Sequence, residues 1–311
     1  MNIVCVEPLG ISREHFEKLQ KHYADMGHTF TYYMDRREDE ASLIDRMHDA
    51  EVAVISNIKL PASVLSQCPK LRYLSVAFTG LDHIDLAYCK EHDIKVQNAA
   101  GYSTTAVSEL AVGMMLDLLR NILTLSESML HGGSRGTFLG RELRGKTVGI
   151  VGTGAIGIAT IRLLLAFCAN VIAYSRTEKD EVKAMGVRYM PLPELLKKAD
   201  IVSLHTPLND ATRGLIGEKE LALMKPTALL VNTARGPVCD IPAVGKALVD
   251  GTIAGAAFDV FEQEPPLPLD HLLLSTRRCL VTPHVAFATE ESFATRADIV
   301  FSHVDDYLKK I

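Results

Sequence analysis

The sequence predicts an α/β protein of two doubly wound domains with parallel sheets. Three observations carry this expectation. Short β-branched runs alternate with helix-period segments along most of the chain, which is the rhythm of βαβ units. One of these units, in the middle of the chain, holds G-x-G-x-x-G between its first strand and its helix. The length of 311 residues is enough for about two such domains.

Residues 2–98 read as the first unit. Candidate strands are Ile3–Val6, Phe30–Tyr33, Val52–Ser56, Leu71–Val76 and Lys95–Gln97. Candidate helices are Arg13–Met26, Glu40–Asp49, Pro61–Gln67 and Asp85–His92, with Asp82 and Asp85 placed to cap the last of them. No glycine fingerprint follows the first strand, so this unit is not expected to hold a dinucleotide. Ligands in such sheets collect at the carboxyl ends of strands. Two loops meet that condition: Ser56-Asn57-Ile58-Lys59, and Ala77-Phe78-Thr79-Gly80, where Gly80 permits close backbone approach. Ser103–Arg120 then reads as a long helix with a broad apolar surface, suited to bridging two domains or pairing with a second subunit. Gly132, Gly133 and Gly136 mark a loop after it.

The second unit starts with the strand Thr147–Val151 and the turn Gly152-Thr153-Gly154-Ala155-Ile156-Gly157. A helix over Ile158–Ala169 and a strand over Asn170–Tyr174 follow at the expected distance. Gly152 allows the tight turn, Gly154 leaves room for a pyrophosphate, and Gly157 lets the helix lie close on the strand. The helix N-terminus offers N–H groups and a positive dipole end to phosphate. The tip of the second strand normally carries an acid for the ribose 2′-hydroxyl. Here it reads Ser175-Arg176-Thr177, with no acid before Glu178. A guanidinium at that place suits a 2′-phosphate, with the hydroxyls of Ser175 and Thr177 assisting, so NADP(H) is favoured and NAD(H) stays possible. The opposing reading has Glu178 or Asp180 fold back onto the ribose.

The alternation continues. Leu192–Lys198 and Pro242–Asp250 read as helices, and Ile201–His205, Ala228–Asn232, Ala254–Val260 and Leu280–Thr282 as strands. A final helix over roughly 290–309 is expected to pack back on the first domain and make it discontinuous. Three polar residues stand out at strand ends or in the loops after them: Arg235, Glu264 and His284. A guanidinium holds a carboxylate bidentately. A histidine exchanges a proton with an alcohol near neutral pH, and a nearby glutamate favours its imidazolium form.

These segments together resemble the D-isomer-specific 2-hydroxyacid dehydrogenases. The likeness runs through Ala77–Asp82, Asn98–Ser103, the glycine fingerprint, Asn232–Gly236, Phe258–Pro265 and Thr282–His284, in that order. The resemblance implies two Rossmann-like domains with the active site in the cleft between them. Residues 1–100 with 287–311 would form the substrate-binding domain, and 101–286 the dinucleotide-binding domain. It implies hydride transfer between NAD(P)H and a small 2-keto acid or D-2-hydroxy acid, as in glyoxylate, hydroxypyruvate or 3-phosphoglycerate enzymes. It implies a catalytic set of Arg235, Glu264 and His284. Cofactor contacts are implied at Thr105, Ala155, Ile156, Thr206, Thr233, Ala234 and Asp259, and substrate contacts at Phe78, Thr79 and Gly80 beside Arg235. A homodimer through 101–130 is implied as well. Two departures stand out: Ser175-Arg176 replaces the usual acid, and the chain ends at Ile311, which leads to the expectation that no regulatory domain follows. Formate dehydrogenases are also similar, but they carry Gln before the histidine where this chain has Pro283. A nucleotide-sensing corepressor is the alternative of a different class.

Bulk properties narrow the partners. A net charge of −5 argues against nucleic acid. No apolar run reaches membrane-spanning length, and the N-terminal Met1–Val6 lacks a basic signal-peptide start. The six cysteines are scattered without C-x-x-C pairs and most sit among apolar neighbours, as expected for reduced core thiols of a cytoplasmic protein. No His/Cys cluster has metal-site spacing.

Overall fold

The computed structural model describes residues 1–276 and 278–311. The chain divides into two compact units: Met1–Ser103 together with Ala288–Ile311, and Thr104–Phe287. Every strand pairing in both sheets is parallel.

The first unit alternates β1 (Asn2–Cys5), α1 (Arg13–Asp25), β2 (Thr29–Tyr32), α2 (Glu40–Met47), β3 (Val52–Ile55), α3 (Ala62–Leu65), β4 (Tyr73–Val76), α4 (Leu86–Glu91) and β5 (Lys95–Asn98). Its sheet order is β2-β1-β3-β4-β5. Strands β3 and β4 are buried along their whole length, so β3 reads as an unbroken apolar run and β4 as one interrupted only by Ser75. Side-chain caps start the helices: Ser12 accepts from the His15 N–H, Asp39 from Ser42 and Asp85 from Tyr88. Asp85 is thus a capping residue, as its position suggested.

Helix α12 (Glu290–Leu308), started by a Thr289–Ser292 capping box, belongs to this same unit. Ser75 Oγ donates to the Val300 carbonyl at 3.0 Å, and Tyr307 stacks on Tyr73 at 4.3 Å. The buried Arg296 fixes its register, donating to the Leu9 carbonyl at 2.7 Å and to Ser56 Oγ at 3.1 Å, with its guanidinium over the Phe293 ring. Close by, Glu7 is buried just after β1. It pairs with Arg36 and accepts from the backbone N–H groups of Ser56 and Ile58. Burial pushes its carboxyl above the usual range, and Arg36 and the two N–H donors oppose that push.

The second unit opens with α5 (Thr104–Arg120) and α6 (Ile122–Leu130). It continues through β6 (Thr147–Val151), α7 (Ala155–Ala166), β7 (Asn170–Tyr174), α8 (Asp180–Ala184), β8 (Arg188–Tyr189), α9 (Leu192–Lys198), β9 (Ile201–Leu204), α10 (Glu218–Leu221), β10 (Leu229–Asn232), α11 (Ile241–Val249), β11 (Gly255–Phe258) and β12 (Cys279–Val281). The sheet order is β12-β11-β10-β9-β6-β7-β8, so the strand order reverses between β6 and β9. Side chains alternate across the sheet. Val148 and Ile150 enter the core beneath α5 and α7, while Val151 enters the core beneath α9 and α11. Gly149 sits under α9, where a β-carbon would run into Leu195.

The loop marked by Gly132, Gly133 and Gly136 lies where it was expected, but a helix the sequence did not offer, α6, precedes it. Asn121, left-handed at φ 52°, ends α5, and Asp117 accepts from the Leu123 N–H to start α6. The apolar face of α5 is spent within its own unit, against α7, β10 and β11. The uncovered apolar side chains lie instead on α6 and just beyond: Ile122, Leu123, Met129, Leu130 and Leu139. Finally, Cys168 is exposed at φ 57° after α7, not a core thiol like Cys5, Cys68, Cys89 and Cys239.

Arg296→Met keeps much of the apolar stem but leaves the Leu9 carbonyl without its charged donor. A loss of roughly 3 kcal/mol is expected. Urea unfolding should show a lowered midpoint, and an unmoved midpoint would show that Arg296 does not hold α12 in place.

Candidate active site

The second unit gathers most of the candidate residues at the carboxyl edge of its sheet. The glycine turn joins β6 to α7. Gly152 has φ +101°, and a β-carbon there would press on the His205 carbonyl at the end of β9. At Gly157 a β-carbon would overlap the Gly152 carbonyl oxygen. At Gly154 the space is open, with no atom within 4 Å of the β-carbon position. Gly154 is the N-cap of α7, and no side chain caps it, so the first-turn N–H groups of Ala155, Ile156 and Gly157 lack helical acceptors. His205, beneath this turn, bonds Ser203 Oγ through Nε2 at 2.9 Å, and burial lowers its pKa to about 4, which keeps it neutral.

Two expected cofactor contacts have an unusual property. The hydroxyls of Thr206, after β9, and Thr233, after β10, are buried without a hydrogen-bond partner among the described residues. Buried hydroxyls seldom stay unpaired in a finished structure. With the uncapped end of α7 and the open space at Gly154, they fit a bound dinucleotide.

The loop after β7 carries Ser175, Arg176 and Thr177. Arg176 is exposed and forms no ion pair among the described residues. Glu178, the nearest acid, is held by Lys183 at 2.7 Å.

Asn232, buried at the end of β10, shapes the next loop. Its Nδ2 donates to the Arg235 carbonyl and its Oδ1 accepts from the Ala234 N–H, each at 3.0 Å. Arg235 Nη1 in turn donates to the Ala234 carbonyl at 2.8 Å. Gly236 lets this loop touch the neighbouring one, since a β-carbon there would overlap the Phe261 backbone. The Arg235 loop is thereby joined to the segment that leads to Glu264.

His284 follows β12. Its Nδ1 lies 2.8 Å from Glu264 Oε2. The imidazole is 12% exposed and Glu264 is 63% exposed, so the ring is enclosed and its partner faces solvent. His284 has φ +55°, an uncommon left-handed conformation for a residue that is not glycine. Asp259, fully buried after β11, secures that turn. Its Oδ1 accepts from Thr282 Oγ1 and the Val285 N–H, and its Oδ2 from the Ala286 N–H. Burial raises the Asp259 pKa, and these three donors pull against it. The sequence offered Asp259 only as a cofactor contact. Its hold on the residues flanking His284, and the clamp formed by Asn232, were missed, because both act through backbone groups that no motif spells out.

The other candidates lie apart in the chain. Thr105 is exposed in the first turn of α5. Phe78, Thr79 and Gly80 belong to the first unit, at the carboxyl end of β4. The Phe78 carbonyl accepts from the Ala99 N–H, and the Thr79 carbonyl from Asn98 Nδ2. Lys59 is exposed after β3. Among the described residues, no group of three or more His, Cys, Asp or Glu side chains is placed to hold a metal ion. No helix among them is long and apolar enough to cross a membrane.

Residues 112–286 match the family model of the D-isomer specific 2-hydroxyacid dehydrogenase NAD binding domain. The chain belongs to the D-isomer specific 2-hydroxyacid dehydrogenase family. It is similar to a glyoxylate reductase of Thermofilum pendens, 39% identical over 272 residues that cover 85% of this chain and 79% of that one. It is 38% identical over 271 residues to a D-3-phosphoglycerate dehydrogenase of Methanocaldococcus jannaschii, covering 86% of this chain and about half (51%) of that protein. Among solved structures, an acyclic imino acid reductase in complex with NADPH and D-Arg superposes with a TM-score of 0.88 at 28% identity, covering 100% of this chain and 98% of that one. As a D-2-hydroxyacid dehydrogenase, this protein is an NAD(P)-dependent oxidoreductase acting between 2-keto acids and D-2-hydroxy acids.

Proposed function

We propose that this D-2-hydroxyacid dehydrogenase reduces small 2-keto acids such as glyoxylate or hydroxypyruvate, with NADPH favoured and with Arg235, Glu264 and His284 as its catalytic set. The His284–Glu264 pair carries the reading. A nicotinamide dinucleotide held there would supply the hydride for reduction at C2 of the keto acid. Nδ1 of His284 is committed to Glu264, so proton delivery to the nascent alkoxide falls to Nε2, and the carboxylate supports the imidazolium that delivers it. Arg235 orients the substrate carboxylate bidentately and polarises the ketone. The backbone of Phe78, Thr79 and Gly80 is carried over from the family resemblance as a substrate contact. Thr105, Gly152, Gly154–Gly157, Thr206, Thr233, Ala234 and Asp259 would hold the dinucleotide, with the uncapped N–H groups of α7 suited to its phosphates. A short, uncharged substrate tail is preferred to 3-phosphoglycerate in this reading, with Lys59, exposed after β3, taken as a surface lysine rather than a phosphate contact.

His284→Ala should lower kcat by roughly 10²–10⁴-fold, with dinucleotide affinity little changed. Arg235→Ala should raise the substrate KM and lower kcat together. Steady-state kinetics with glyoxylate and hydroxypyruvate reads both, and more than about a tenth of wild-type kcat in either variant would remove these residues from the catalytic set.

The NADPH preference rests on Arg176. It carries no ion pair among the described residues, while Glu178 is engaged by Lys183. A charge-assisted contact of about 1.5–3 kcal/mol corresponds to one to two decades in affinity. Arg176→Ala should therefore raise KM for NADPH about tenfold or more and leave NADH nearly unmoved. A wild-type preference for NADH that survives the substitution contradicts this part of the reading.

We also propose a homodimer through 101–130. The uncovered apolar side chains of α6 support it, since a surface of this kind is normally buried in an assembly. Sedimentation at micromolar concentration should report twice the chain mass, 34.1 kDa, and a monomer there would rule the dimer out.

A further inference from the structure

We propose that Tyr189 is a positioning residue for the dinucleotide, a strap that fixes the loop carrying Arg176 relative to the phosphate-binding turn. The inference deepens the NADPH reading above and rests on it for the identity of the 2′ group.

Tyr189 lies on β8, a two-residue edge strand paired with β7 through Ala173. Its hydroxyl donates to Thr153 Oγ1 at 2.9 Å and accepts from the Lys179 N–H at 3.1 Å. A phenol has one proton to give and lone pairs to receive, and both capacities are used here. The two partners belong to different parts of the cofactor region. Thr153, 2% exposed, lies between Gly152 and Gly154 in the glycine turn. Lys179 is the N-cap of α8 and closes the loop that begins after β7.

The other end of that loop is tied to the same turn, because the Gly152 N–H donates to the Tyr174 carbonyl at 2.8 Å. Residues 175–178, which include Arg176, are therefore held at both ends by two consecutive residues of the glycine turn. One tie is a backbone bond that any sequence would make. The other runs entirely through the Tyr189 hydroxyl. The phosphate-binding turn and the cation offered to the ribose 2′ position must keep a set distance for one ligand to engage both. A preorganised loop engages with less loss of conformational freedom than a loose one. With its hydroxyl spent on Thr153 and Lys179, Tyr189 acts through the loop: it sets where Arg176 is.

Tyr189→Phe tests this with little risk to folding, because the ring remains and only the hydroxyl is lost. Hydrogen exchange on ligand-free enzyme reads the loop directly. Exchange across 175–179 should rise by about tenfold, the scale of one lost hydrogen bond of roughly 1.4 kcal/mol, while the rest of β6 and α7 stays protected. Titration should show the Kd of the preferred dinucleotide rising about 3–10-fold, with kcat at saturation unchanged. Unchanged exchange in 175–179, or an unchanged Kd, overturns the strap. The exchange arm does not depend on which dinucleotide is preferred. If Arg176→Ala leaves NADPH binding unmoved while Tyr189→Phe still loosens 175–179 and weakens the preferred dinucleotide, the NADPH reading fails and the strap stands.

Discussion

The turn between β6 and α7 is packed so tightly that neither Gly152, against the end of β9, nor Gly157, against the Gly152 carbonyl, has room for a side chain. That close packing sets the geometry of the second unit's working edge. It places the N-terminus of α7 where the strand order reverses, with open space in front of Gly154. In a parallel doubly wound sheet the carboxyl ends of all strands emerge on one edge, so the loops after β7, β9, β10, β11 and β12 emerge there too. Three of these loops are fixed by polar side chains: Asn232 for the turn of Arg235, Asp259 for the turn of His284, Tyr189 for the loop of Arg176. Residues available for chemistry are held by residues that satisfy backbone groups.

The division of labour is physical. Asn232 and Asp259 are fully buried and spend their polar atoms on protein donors and acceptors. Arg176 and Glu264 keep much of their surface in solvent. Thr206 and Thr233 fall between these classes, their hydroxyls buried yet without a partner among the described residues. Unsatisfied buried hydroxyls are destabilising by about 1–3 kcal/mol each, and this enzyme family's dinucleotide offers the polar atoms that would relieve it. The first unit uses the same logic for stability alone, with Arg296 and Glu7 binding the returning α12 and the loop after β3 to the end of β1.

Much of this was legible in the sequence because parallel strands buried on both faces leave unambiguous apolar runs. β6, β7 and α9 fall where the residue pattern put them, and other element ends differ by one to three residues. The pairing partner of His284 was also visible as a glutamate in the right loop. What escaped has identifiable causes. Helix α6 was hidden because Asn121 breaks the helical run before it and because its apolar face has no core to meet. Strand β8 is only two residues long, and its importance lies in one hydroxyl rather than in any period. The left-handed turn at His284 leaves no mark in composition, since its support comes from Asp259, a residue 25 positions earlier whose bonds go to backbone N–H groups.

The central claim is that the carboxyl edge of the second sheet hosts hydride transfer to the C2 of a 2-keto acid, with the proton delivered by His284. Turnover of hydroxypyruvate with NADPH deuterated at both C4 positions tests it most directly. The account predicts glycerate of D configuration carrying one deuterium at C2. Product of L configuration, product without deuterium at C2, or no turnover of hydroxypyruvate or glyoxylate with either dinucleotide would contradict it.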